Sequence, residues 1–352
     1  MIRQKFDPSR VRRLLIRSTN WIGDAVMTTP AVRAIRRNFG RAEISILVKP
    51  WVAPVFADSP HVDRLLIYDA AGRHHGSSGK LRLARELRRR RFDAAILLQN
   101  AFEAALITWL AGIPRRVGYK TDARGPLLTH GVRCTAAVKR VHQTRYYLTI
   151  LEALGMSVGS QRLDLFLGPA GPERAGRILR ARGVSPHQRL VGINPSATFG
   201  PAKQWLPESF ARLADRIQEH LDARILMFGG PGDRQLGERI QQMAARPMVN
   251  LCGRTSLEEA MALIQVCDLF ISNDSGLMHV AAALDVPLIA IFGSTNPVAT
   301  GPYSVNSRVL QASLPCAPCC RPTCPLGHME CMTRIDVETV FRSASDLMAV
   351  AG

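Results

Sequence analysis

DLFISNDSGLMHVAAALDVPLIAIFG, Asp268 to Gly293, carries three elements in one run. DLFIS is a short apolar stretch of strand formers. It stops at Asn273 and Asp274, a helical stretch opens at Ser275, and PLIAIFG supplies a second apolar stretch. Neither apolar stretch alternates with polar residues, the pattern of parallel strands covered on both faces. Working outward, the same alternation recurs. RLVGINP precedes PESFARLADRIQEHL, ARILMFGG precedes RQLGERIQQMA, and MVNLCG precedes SLEEAMALIQVC. Nearer the N-terminus, RRLLIRST, EISILVKP, RLLIYD and DAAILLQN form a separate series, each followed by a helical stretch. HQTRYYLTILEAL closes that series, and the Gly-, Ser- and Pro-bearing segment from Gly155 to Gly171 reads as the linker. The expected fold is α/β: two doubly wound, Rossmann-like domains, 1–165 and 172–352, facing each other across a cleft. A last helix, Asp336 to Val350, has no strand after it and could pack on either domain.

The chain has 352 residues, 47% of them apolar, which fits a globular protein with two cores. No apolar run approaches the ~18–20 residues that cross a bilayer. The apolar run near the N-terminus is too short for a signal peptide, so the expected location is cytoplasmic. A formal charge of +18 favours anionic partners: phosphorylated metabolites, an acidic membrane surface or nucleic acid. Arginine scattered along the whole chain also fits plain compositional bias. One cluster is concentrated. KLRLARELRRRR, Lys80 to Arg91, reads as a helix with Leu81, Ala84 and Leu87 on one face and Arg82, Arg85, Arg88 and Arg89 on the others. That is either a solvated face or a surface for phosphates and lipid headgroups. Aromatic residues make up only 6% and form no ladder for stacking bases, so nucleic acid is not the expected partner.

Three strand ends of the second series could converge on one ligand. In NDSGLMHVAAALDVP, Ser275 and Gly276 open a helix whose first N–H groups and dipole attract an anion. Asp274 could cap that helix or accept from a ribose hydroxyl, and His279 lies one turn in, on the side of Ser275. NPSATFGPAKQW, Asn194 to Trp205, is a long loop with Ser196, Thr198 and one cation, Lys203, which could hold a diphosphate as a point charge. FGGPGDRQ places Gly229 at a third strand end. Neither a G-x-x-x-x-G-K-[ST] phosphate loop nor a G-x-G-x-x-G helix opening occurs, which weakens NTPase and dehydrogenase readings.

Two further segments stand out. In NWIGDAVMTTPAV, Asn20 to Val32, a carboxylate, Asp24, sits beside Gly23 in the first strand-to-helix turn. It could cap a helix starting near Ala25, or do chemistry. In CAPCCRPTCPLGHMEC, five of the eight cysteines fall close together. Cys316 and Cys319 have C-x-x-C spacing, and Cys324, His328 and Cys331 follow irregularly. In a cytosolic chain these are candidates for a structural zinc, or they are reduced thiols packing a loop.

Taken together, RSTNWIGDAVMTTPAVRAI, NPSATFGPAKQW, NDSGLMHVAAALDVPLIAIFGSTNP and CAPCCRPTCPLGH resemble the lipopolysaccharide heptosyltransferases of glycosyltransferase family nine, nearest to their heptosyltransferase II branch. The resemblance runs in order from about Arg12 to Ile335. It implies the GT-B fold and inverting transfer of heptose from ADP-heptose to a heptosylated, Kdo-bearing lipid A. It also implies that catalysis needs no cofactor. By the family's pattern Asp24 is the general base, with Gly23 giving backbone room. Lys203 stabilises the leaving diphosphate, and Asp274, Ser275, Gly276 and His279 hold the ADP moiety together with Ser196, Thr198 and Gly229. The acceptor is large, anionic and membrane-bound, so the implied location is peripheral on the cytoplasmic face of the inner membrane, with Arg82, Arg85, Arg88 and Arg89 facing that surface. Where some relatives carry a second acid after the Gly-rich strand, Asp233 is a loose match. Residue 199 is Phe where some relatives have Thr. A related transferase using another nucleotide sugar is the alternative. A basic nucleic-acid-binding protein, or a zinc-dependent interaction module on an inactive fold, would be of a different class.

Overall fold

The computed structural model describes residues 6–350. Residues 1–5 and 351–352, which the expected domain ranges include, lie outside the described residues. The chain divides into two compact units, the break falling between Phe166 and Leu167.

The first unit is built on β1 (Arg13–Arg17), β2 (Glu43–Val48), β3 (Arg64–Ile67), β4 (Ala94–Leu97), β5 (Arg115–Tyr119) and β6 (His130–Val132). All pairings are parallel, in the order β3-β2-β1-β4-β5-β6. The second unit is built on β7 (Arg189–Asn194), β8 (Ala223–Met227), β9 (Val249–Asn250), β10 (Leu269–Asn273), β11 (Leu288–Phe292) and β12 (Ser307–Gln311). These are also parallel, in the order β12-β11-β10-β7-β8-β9. Counted from β7 as its first strand, the second sheet has the same order as the first. Each sheet grows one way from its first strand and then resumes on that strand's other side. The order therefore reverses between β1 and β4, and between β7 and β10. At such a point the loops after the two central strands diverge to opposite faces and leave a crevice at the C-terminal edge.

The central strands are apolar without alternation because helices cover both faces. Leu14, Leu15 and Ile16 of β1 are fully buried, as are Val191 and Ile193 of β7. Each such side chain contributes about 1.5–3 kcal/mol of burial.

Several elements go beyond or differ from the sequence reading. The strands β5, β6 and β12 carry no continuous apolar run. RRVGY begins with two arginines, HGV is three residues long, and β12 is only half-buried. The basic helix runs Gly76–Arg89 and buries Leu83, Ala84 and Leu87, while Leu81 is exposed. At about 100° per residue, Leu83 and Leu87 lie on the inner stripe and Leu81 swings off it. The C-terminal helix Val337–Val350 packs on the second unit, with Val340, Ala344 and Met348 in the same buried cluster as Ile193, Ile217 and Ile271.

Candidate active site

In the first unit, β1 ends at Arg17 and a short helix, Ile22–Met27, begins almost at once. Its N-cap is Trp21. Asp24 therefore lies inside the first turn rather than at the cap, and the helix starts earlier than the sequence suggested. Gly23 is buried and Asp24 half-buried. The turn is tied from two sides. Arg17 donates through Nη2 to Asn20 Oδ1 at 2.9 Å, and Trp51 Nε1 donates to the Asn20 carbonyl at 2.8 Å.

Behind Asp24 stands a residue the sequence reading missed. Tyr147 Oη donates to Asp24 Oδ1 at 3.4 Å and accepts from Gln143 Nε2 at 3.1 Å. Burial, and then the Asp24 carboxylate, hold the Tyr147 phenol well above its ordinary range. It stays protonated and serves as a donor. The only signal in sequence was a tyrosine pair on the amphipathic helix Gln143–Glu152.

Cations gather at the same sheet edge. Arg17 ends β1 and Lys49 follows β2, and both are buried. Lys49 Nζ sits 3.7 Å from the centroid of the Tyr68 ring. Tyr68 Oη donates to Glu103 at 2.8 Å, and Lys80 pairs with Glu103 at 2.8 Å. Burial pushes the Arg17 guanidinium down to about 10. Burial and the neighbouring Arg17 push the Lys49 ammonium down as well. Arg82, Arg85, Arg88 and Arg89 are exposed on the helix Gly76–Arg89, although Arg88 Nη2 is tied to the Leu110 carbonyl at 2.7 Å.

In the second unit, the loops after β7, β8, β10 and β11 emerge at one C-terminal edge. Lys203 comes from the loop after β7 and Asp274 directly follows β10. Lys203 Nζ meets Asp274 Oδ2 at 2.7 Å, with side chains 15% and 5% exposed. The same carboxylate oxygen accepts from Thr295 Oγ1 at 2.7 Å and Thr300 Oγ1 at 3.4 Å. Asp274 therefore anchors the lysine and caps nothing. The cap of the helix Gly276–Ala283 is Ser275, whose Oγ accepts from Met278 N and, at 2.7 Å, from Asn194 Nδ2. An ammonium carries three donors, so pairing with Asp274 leaves Lys203 donor capacity for a phosphate oxygen. Phe199, which the sequence reading set aside, lays its ring 5.2 Å from that ammonium.

The remaining expected residues spread around this pair. Ser196 and Gly276 are half-buried and Thr198 is exposed. His279 is buried, 3% exposed. Gly229 follows β8, where a Cβ would press to 2.9 Å from Asp233. Asp233 itself accepts from Gly230 N at 2.7 Å and closes that turn. Asn273, not singled out by sequence, clamps the Lys203 loop to β10: its Oδ1 accepts from Trp205 N at 3.0 Å and its Nδ2 donates to the Pro195 carbonyl at 2.7 Å.

In the tail all thiols are free; Cys316, Cys319 and Cys324 are half-buried and Cys331 is buried. Among the described residues no three Cys, His, Asp or Glu side chains are already gathered as a metal-holding group. Nor is any described helix long and apolar enough to cross a membrane.

Two Rossmann-like units, each with its polar side chains at the switch point of a six-stranded parallel sheet, make up the GT-B class of α/β architecture. The chain belongs to glycosyltransferase family 9 (heptosyltransferase), whose profile matches residues 80–330. It is 31% identical over 312 residues to lipopolysaccharide heptosyltransferase 2 of Salmonella typhimurium, covering 85% of this chain and 88% of that protein. It is 29% identical over 341 residues to lipooligosaccharide heptosyltransferase 2 of Campylobacter jejuni, covering 96% and 98%. The solved structure of Escherichia coli ADP-heptose lps heptosyltransferase II is 26% identical, with a TM-score of 0.82 over 96% of this chain and 99% of that one.

Proposed function

We propose that this glycosyltransferase moves heptose from ADP-heptose to the heptosylated, Kdo-bearing inner core of lipopolysaccharide, with inversion at the anomeric carbon. The observation that carries the reading is the Lys203–Asp274 pair beside a helix N-terminus at the second unit's switch point, in a chain about 30% identical to the heptosyltransferase 2 proteins. In this proposal the second unit binds the donor. Lys203 and the N-terminus of the helix Gly276–Ala283 take up the charge that grows on the departing ADP. Ser196, Thr198, Gly229 and His279 complete its surroundings. The first unit binds the acceptor. Asp24 removes the proton from the attacking hydroxyl as an oxocarbenium-like transition state forms, and Tyr147 orients its carboxylate. A single carboxylate base without an enzyme nucleophile gives inversion.

The buried cations Arg17 and Lys49 suit an anionic group on the acceptor. The exposed Arg82, Arg85 and Arg89 suit an acidic membrane surface on the cytoplasmic side of the inner membrane. No catalytic cofactor enters this scheme. A structural zinc at Cys316, Cys319, Cys324 and Cys331 is part of the proposal.

The test is ADP release with ADP-heptose and heptosyl-Kdo₂-lipid A, with UDP- and GDP-sugars as competitors. Turnover with ADP-heptose that the other nucleotide sugars do not inhibit is expected. Silence with ADP-heptose, or preference for another nucleotide, would remove the heptose assignment and leave the family.

A further inference from the structure

The helix Phe102–Leu110 of the first unit turns an apolar face outward. Ala104, Ala105, Ile107 and Thr108 are buried on its inner side. On the outer side Phe102 is 42% and Trp109 49% exposed, and Leu106 and Leu110 are half-buried. At about 100° per residue these four fall within one stripe roughly 100° wide. A surface helix ordinarily carries polar side chains there. The only acid of this helix, Glu103, stands at the edge of the stripe and is already engaged by Lys80 at 2.8 Å and Tyr68 at 2.8 Å. Single exposed apolar residues are ordinary, whereas a contiguous stripe marks a contact surface.

The helix Gly76–Arg89 extends this face and gives it a charged border. Lys80 meets Glu103 near the start of both helices, and Arg88 Nη2 meets the Leu110 carbonyl at 2.7 Å near their ends. The two helices therefore run alongside each other in the same direction. Leu81 lies seven residues before Arg88, on the same side of its helix, so its exposed side chain joins the apolar face. Arg85 comes next around the helix, with Arg82 and Arg89 beyond it, all exposed. The only acid of this helix, Glu86, is paired with Arg73 at 2.6 Å. Both acids of the two helices are thus already neutralised, and the border of the apolar face is cationic.

That combination selects the occupant. A second copy docked here about a two-fold axis would gather both arginine borders into one contact. A nucleic acid would match the arginines and leave the apolar stripe in water. A bilayer surface with acidic headgroups answers both features. Trp and Phe suit the boundary between headgroups and acyl chains, and arginine suits lipid phosphate. We infer that the first unit docks on an anionic bilayer through this face, with Phe102 and Trp109 inserted at the headgroup boundary and Arg85 and Arg89 on the lipid phosphates. The inference adds an apolar anchor to the proposed membrane location and rests on that reading.

The experiment floats the full chain with phosphatidylcholine vesicles made with and without phosphatidylglycerol. Binding to the anionic vesicles is expected, and little to the neutral ones. Trp109→Ser should lower that binding about 10-fold or more, by loss of buried apolar area. Phe102→Ser should lower it in the same direction, which covers the case in which one variant folds poorly. Arg85→Gln and Arg89→Gln should each weaken it about 5-fold, the scale of one cation at an acidic surface. Val298→Ser removes an exposed apolar side chain of the second unit and should change nothing. Full vesicle binding by both Trp109→Ser and Phe102→Ser would overturn the inference, because adsorption would then be electrostatic alone. So would a Trp109→Ser variant that keeps vesicle binding and instead dissociates a dimer in sedimentation velocity, since the face would then belong to a second copy. Flotation needs neither nucleotide nor sugar, so a failed heptose assay leaves these outcomes readable. With an acceptor stripped of its acyl chains, parent and Trp109→Ser should release ADP at the same rate.

Discussion

After β1 the chain takes four residues, 18–21, before its helix begins; after β7 it takes twelve, 195–206, with only a single 3₁₀ turn, before the helix Pro207–His220. The two sheets share one strand order, so both connections leave from a switch point. Their lengths decide how a functional group is held. The short turn puts Asp24 on the first turn of a helix, where the backbone fixes it with the Asn20 ties and Tyr147 in support. The long loop cannot fix Lys203 by its own conformation. It relies on Asn273 at one end, Pro322 in the middle and Asp274 at the ammonium. The proposed base and the proposed phosphate-holding cation are thus carried on different kinds of connection.

The largest effect should come from the short turn. Asp24→Asn keeps the shape of the side chain and removes its basicity. It should lower kcat by about 10²-fold or more and leave ADP affinity within a factor of about two, because the donor is assigned to the other unit. Steady-state kinetics with ADP calorimetry checks both. Equal losses in kcat and ADP affinity would mean that the division of labour between the units is wrong.

Next comes the long loop. Lys203→Ala leaves a carboxylate 5% exposed without its cation, and breaking a buried pair costs about 3–5 kcal/mol. The variant should melt earlier as well as lose donor affinity. Adding Asp274→Asn should recover most of the stability and none of the activity. If the double variant melts no higher than the single, the pair does not hold the loop.

What was legible in sequence follows the same division. The βαβ run from Asp268 to Gly293 read correctly because its strands are buried on both faces and apolar throughout. Gly23, Asp24, Lys203 and Asp274 stood out as candidates because they lie in the connections that follow such runs. Tyr147, Asn273 and Thr295 were not, since their importance lies in partners 123, 68 and 21 residues away. Arg17 and Lys49 were hidden for another reason. Against a background of 46 basic residues, burial at the ends of β1 and β2 marks these two, and burial of a cation leaves no mark on composition. The exposed run Arg88–Arg91 drew the eye instead.

Tyr147→Phe sharpens the reading of the short turn. It removes one long hydrogen bond to Asp24 and keeps the packing, so kcat should fall about 3–10-fold, the scale of an ordinary hydrogen bond of about 0.5–1.5 kcal/mol, with the donor KM unchanged. Gln143→Leu should reproduce part of that loss by freeing the Tyr147 hydroxyl. A Tyr147→Phe enzyme as fast as the parent would show that the Tyr147 hydroxyl does not set the position of Asp24.

The smallest effect separates the catalytic edge from the frame around it. His61 Nε2 lies 3.7 Å from Asp164 Oδ2, and its ring meets Phe166 edge-on at 5.7 Å, so it packs the end of the first unit where the chain leaves. Burial pushes the His61 imidazole down, the Asp164 carboxylate pulls it up, and Arg33 and Arg36 push it down again, with burial prevailing. The unfolded chain protonates this histidine near ~6.5, while the folded chain holds it neutral to lower pH. Below that value the unfolded state binds more protons, so stability rises with pH through the window and is lost as pH falls through it toward the folded value. His61→Gln removes that slope. The melting temperature of the parent should drop more than that of the variant between pH 7.5 and pH 5.5, while kcat at pH 7.5 stays the same in both. If the two proteins lose stability in parallel, other groups in the first unit carry the acid sensitivity. If kcat falls with His61, the end of the first unit is coupled to Asp24, and the contrast between a helix-fixed acid and a loop-fixed cation would have to be redrawn.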